Sequence, residues 1–87
     1  MDAGRTGAYL AALRKARGMT QQEAAEQLGV SNKTVSKWEN GAGLPDITVL
    51  PALAELYGVT ADDILAGETL RGQPAESGGE ARDRLLR

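Results

Sequence analysis

Residues 20–41 read TQQEAAEQLGVSNKTVSKWENG. Thr20, followed three residues later by Glu23, is a capping-box pair, so a helix starts there. That helix runs to Leu28 and stops at Gly29, with Ala24, Ala25 and Leu28 on its inner side. Ser31 is a second good N-cap, and the helix it opens closes at Asn40-Gly41. Gly29, Val30 and Ser31 alone connect the two helices, and Gly29 can take the positive φ that so tight a corner needs. Ala25 is small where the later helix must approach, and Val35 and Trp38 point from that helix back toward a core. Two short helices joined by about three residues with a glycine describe a helix-turn-helix, although any helical bundle has short connections.

The later helix has two unlike sides. At about 100° per residue, Asn32, Lys33, Ser36, Lys37 and Asn40 fall within one arc of roughly 140° that contains no acid. Thr34, Val35, Trp38 and Glu39 fill the other side. Taken alone, the lysines fit an ordinary solvated face as well as a binding surface.

Outward from this corner the chain reads as helix throughout. Residues 1–6 look like a flexible arm, and a first helix spans about 7–17, with Tyr9, Leu10, Leu13 and Ala16 as its apolar stripe and Gly18 as its stop. Asp46 is the expected N-cap of a fourth helix whose buried stripe is Leu50, Leu53, Ala54 and Tyr57. Pro51 cannot donate to the Ile47 carbonyl, so its first turn is distorted or its regular part starts later. A fifth helix follows Thr60, with Asp62 and Asp63 at the positive end of its dipole, and ends at Gly67. The segment RGQPAESGGE then turns linker-like. The expected organisation is an arm at 1–6, a domain at 7–67, and a linker-like tail at 68–87 whose end reads either as the start of another helix or as a cut end.

Composition narrows the function. With 87 residues, 41% of them hydrophobic, the chain is sized for one domain with a modest core. It has no Cys and no His, which removes disulfides, thiol and imidazole chemistry and the common zinc sites. Ser31, Ser36 and Ser77 lack the usual base. The expectation is no enzyme, no cofactor and no metal. No signal peptide or membrane span is visible, which points to a cytoplasmic protein. The net charge of -2 hides a polarised chain. Arg5, Arg14, Lys15 and Arg17 stand together without an acid, and Asp46, Glu55, Asp62 and Asp63 without a base. A local field can steer a polyanion even when the sum is slightly negative.

Several stretches together resemble one family: Thr20-Gln-Gln-Glu-Ala-Ala, Leu28-Gly-Val-Ser, Thr34-Val-Ser-Lys-Trp-Glu-Asn-Gly, Leu44-Pro-Asp, Tyr57-Gly-Val-Thr and Ile64-Leu-Ala-Gly. They are similar to the Cro/phage-repressor (XRE-type) helix-turn-helix domain over about residues 7–67. The resemblance implies an all-α, five-helix lambda-repressor-like bundle whose third helix enters the DNA major groove, as a homodimeric repressor on a two-fold operator. Carried over by position, it places Asn32, Lys33, Ser36 and Lys37 at base edges, and Gln21 and Asn40 at phosphates. It pairs Glu39 with Arg14, tying helix one to helix three, while Ala25, Gly29, Val35 and Trp38 support the corner. Lys33 or Lys37 can donate to guanine O6 and N7, and Asn32 can pair with adenine N6 and N7. Ala42 and Gly43 depart from the pattern, since many members carry a Lys or Arg there, so the resemblance implies one phosphate contact fewer. The competing reading is a protein-interaction module, antitoxin-like or coactivator-like, which the net negative charge and the missing loop cation favour.

Overall fold

The computed structural model describes residues 2–70. They form five helices: α1 (Ala3–Ala16), α2 (Gln21–Leu28), α3 (Asn32–Glu39), α4 (Leu50–Tyr57) and α5 (Ala61–Ala66). Among the described residues there is no strand, and no helix is long and apolar enough to cross a membrane. The expected all-α, five-helix architecture is the one observed. The end of the tail, read as a helix start or a cut end, lies outside the described residues.

The corner follows its local signals. Thr20 Oγ1 accepts from the Glu23 N–H at 3.0 Å, and Glu23 Oε1 accepts from the Thr20 N–H at 2.8 Å, closing the capping box. Gly29 sits at φ 72°, and Ser31 Oγ accepts from the Thr34 N–H at 3.1 Å. Ala25, Val35 and Trp38 all enter the core, with Leu10, Leu50, Leu53, Tyr57 and Ile64. Leu28 is half-buried and packs against that cluster.

The first helix corrects the reading of residues 1–6 as an arm. It begins at Ala3, with Asp2 Oδ1 accepting from the Arg5 N–H at 3.1 Å. Gly4 and Gly7 weaken helix propensity, but tertiary contact outweighs it. Gly7 is buried where α1 crosses the end of α3: a Cβ there would overlap the Trp38 carbonyl oxygen and lie 3.0 Å from that of Glu39. Thr6, fully buried, donates from Oγ1 to the Ile64 carbonyl at 3.0 Å and so ties α1 to α5. Ala16 is exposed rather than part of the apolar stripe.

Gly7→Ala is therefore expected to destabilise the domain. Helix propensity would gain about 1 kcal/mol, yet forcing a methyl group against backbone oxygens costs about 1–3 kcal/mol or more. The overlap is with main chain, which cannot swing aside, so the cost wins. A clear fall in thermal midpoint checks it; a rise would show that α1 slides freely over α3.

The fourth helix starts later than Ile47, as Pro51 allows. Pro51 occupies its second position, where no intrahelical donor is needed. Asp46 does not cap it. Its Oδ1 accepts instead from the Thr48 N–H at 3.0 Å and hydroxyl at 3.1 Å, closing a turn within the loop. In α5, Asp63 does more than face the dipole: it is buried, completes a capping box with Thr60, and accepts from the Leu70 N–H at 2.9 Å. That bond, with Tyr9 to Thr69 at 2.8 Å and Arg5 to Glu68 at 3.2 Å, lays residues 68–70 back against α1 and α5.

Candidate nucleic-acid interface

The eight residues of α3 present one buried and one open side. Val35 and Trp38 are buried; Asn32, Lys33, Lys37 and Asn40 are exposed and Ser36 half-buried. Neither Lys33 nor Lys37 has an ion-pair partner among the described residues. The stem of Lys37 crosses Gly43, where an added Cβ would stand 2.9 Å from Lys37 Cε. The small residue that replaces an expected loop cation thus leaves room for a cation from α3. Asn40 Nδ2 donates to Ser36 Oγ at 3.3 Å, linking two members of the polar arc.

The single acid of α3 is kept out of this face. Arg14 Nε donates to Glu39 Oε2 at 2.7 Å and Nη2 to Oε1 at 3.0 Å, a two-pronged pair whose side chains are 11% and 6% exposed. Arg14 Nη1 donates to the Met19 carbonyl at 2.7 Å, and Gln21 Nε2 to Glu39 Oε1 at 3.0 Å. Hydrogen bonding to Glu39 raises the Arg14 guanidinium further above its ordinary value. Burial pushes the Glu39 carboxyl up, but the bonds from Arg14 and Gln21 and the charges of Arg14 and Lys15 outweigh it and hold it below the usual range. The pairing of Arg14 with Glu39 is formed as the family resemblance implied. Its charge is spent inside the protein, so the exposed side of α3 carries only cations and neutral polar groups.

Gln21 occupies the first position of α2, where its role at a phosphate was expected, but its side-chain nitrogen is engaged by Glu39. Two residues outside the expected set also join the site. Gln22 Oε1 accepts from Asn32 Nδ2 at 3.2 Å, and Gln22 Nε2 donates to Glu26 Oε2 at 3.1 Å. The four-residue spacing of Gln22 and Glu26 on one helix is the signal that would have revealed the second bond.

A capped corner of two short helices, with the second turning outward a cationic face that has no ion pair among the described residues, is the geometry of a helix-turn-helix. The chain belongs to the helix-turn-helix family, whose model matches residues 10–64. Among named proteins it is similar to the HTH-type transcriptional activator BcrR of Enterococcus faecalis, 43% identical over 58 residues, covering 67% of this chain and 28% of BcrR. The alignment therefore spans under a third of that relative. It is also 31% identical to the uncharacterized HTH-type transcriptional regulator YazB of Bacillus subtilis, covering 78% of this chain and 99% of YazB. Among solved structures, the clp gene regulator ClgR from Corynebacterium glutamicum superimposes with a TM-score of 0.69 at 27% identity, over 77% of this chain and 71% of ClgR.

Proposed function

We propose that this chain is a sequence-specific transcriptional regulator that reads double-stranded DNA through α3 and acts in the cytoplasm. Asn32, Lys33, Ser36 and Lys37 take the base edges, and Asn40 and the start of α2 at Gln21 take flanking phosphates. The observation that carries the reading is the exposed lysine face of α3, free of ion pairs among the described residues, beside an acid locked to Arg14. Because the Gln21 amide nitrogen is held by Glu39, its phosphate contact is assigned to the backbone N–H at the helix start.

Assembly as a homodimer on a two-fold operator follows from size. Eight residues of α3 span about 12 Å, or roughly three to four base pairs at about 3.4 Å each. So short a site recurs too often to define an operator, and a second copy one helical turn away doubles it. Repression is the regulatory sense we adopt, since occupying a groove excludes other proteins without any further surface. The relatives named as regulators and the absence of Cys and His speak for binding rather than catalysis.

Salt separates this reading from a protein-interaction module. On an operator selected from random duplexes, log affinity should fall linearly with log salt, with a slope near -0.9 for each phosphate neutralised. A flat dependence, or no selection of any duplex, would favour the interaction module.

A further inference from the structure

We propose that Gln22 is a positioning residue that sets the base preference of Asn32, through a relay running Glu26–Gln22–Asn32 across the corner; this rests on the DNA-binding reading above. An ionised carboxylate only accepts hydrogen bonds. Glu26 Oε2, at 3.1 Å, therefore takes the nitrogen end of the Gln22 amide and leaves Oε1 to face α3. There Oε1 meets Asn32 at 3.2 Å and requires the Nδ2 end of that side chain. Asn32 is thereby oriented from α2. One N–H is held by Gln22, while its second N–H and its Oδ1 have no partner among the described residues.

That remaining pair is one donor beside one acceptor. In the major groove adenine presents N6–H₂ as donor and N7 as acceptor, whereas guanine presents two acceptors, O6 and N7. An Asn32 fixed in this sense complements adenine on both atoms and opposes its own oxygen to guanine O6. Without the relay the amide can turn over and rotate, and the preference weakens. Gln22 touches no base in this scheme. It acts through Asn32 alone.

The test uses the full chain and the duplex it selects from a random pool. Asn32→Ala identifies the base pair read by that side chain, as the position where preference disappears. At that pair the unaltered chain should favour adenine over guanine by roughly 10-fold. Gln22→Ala should remove most of that ratio while leaving the preference at other positions unchanged. Gln22→Glu, which still accepts from Asn32, should restore the ratio whatever it does to total affinity. Adding Gln22→Ala to Asn32→Ala should change nothing further at that pair. The relay is overturned if Gln22→Ala keeps the full adenine preference, if Gln22→Glu loses it as Gln22→Ala does, or if the loss spreads over every position. A chain that selects no duplex overturns the DNA-binding reading as well, whereas selection with an indifferent Gln22 overturns the relay alone.

Discussion

Glu39→Ala should destabilise the domain by about 3–5 kcal/mol, the cost of leaving one member of a buried ion pair without its partner. The side chains of Arg14 and Glu39 are 11% and 6% exposed, so water does little to replace the lost carboxylate. Both prongs of the guanidinium and the Gln21 amide lose their acceptor at once. Against a total stability of about 5–15 kcal/mol for domains of this kind, the variant should be partly unfolded near body temperature. Arg14→Lys should also be costly, because an ammonium cannot form the two-pronged contact while reaching the Met19 carbonyl. Replacing both residues with apolar ones should recover part of the loss, since no charge is then stranded. Urea unfolding of the three variants measures this. Equal midpoints for Glu39→Ala and the unaltered chain would mean that the pair does not hold α1 to α3.

The same pair sets an acid limit. The Glu39 carboxyl is held below its ordinary value in the folded domain, so folding is favoured by its ionised form. Its contribution is complete above the ordinary carboxylate pKa and is lost as pH falls through the lower folded value. Stability should therefore decline on acidification through that window, and less steeply in Glu39→Gln, which cannot titrate. Equal pH slopes in the two proteins would assign the acid sensitivity to other carboxylates.

Much of this fold was legible because its signals are local. Thr20 with Glu23, Ser31, Gly29 and Gly41 each act within one turn of chain, and each appears where the caps and glycines placed it. What escaped was decided by contacts distant in sequence. Residues 1–6 read as an arm, yet α1 begins at Ala3, because Thr6 is tied to the Ile64 carbonyl and Gly7 lies where the end of α3 leaves no room for a side chain. Asp46 looked like a cap but closes its own turn, since Pro51 moves the start of α4 to Leu50. The short side chain of Asp63 completes a capping box that is usually written with Glu or Gln. For the site, helical angle alone put Asn32, Lys33, Ser36, Lys37 and Asn40 on one arc, and among the described residues four of these are exposed and Ser36 is half-buried. The bonds of Gln21 to Glu39 and of Gln22 to Asn32 cross between helices, and no periodicity within one helix contains them.

The Lys33→Ala/Lys37→Ala double variant should lose operator affinity by about 30-fold or more, since each well-placed base contact is worth about 1–3 kcal/mol. Its folding should hardly change. Both lysines are exposed and unpaired among the described residues, and surface substitutions of that kind fall within about 0.5 kcal/mol. Removing part of the Lys37 stem above Gly43 uncovers a small contact but leaves no cavity in the core. The two effects must therefore separate, which distinguishes a reading surface from a structural one. The direct measurement is a titration of the selected, fluorescently labelled operator with both proteins at one fixed salt concentration, alongside their urea unfolding. The expected outcome is a large loss of affinity with coincident unfolding curves. Unchanged affinity and base preference in the double variant would contradict a DNA-reading role for α3.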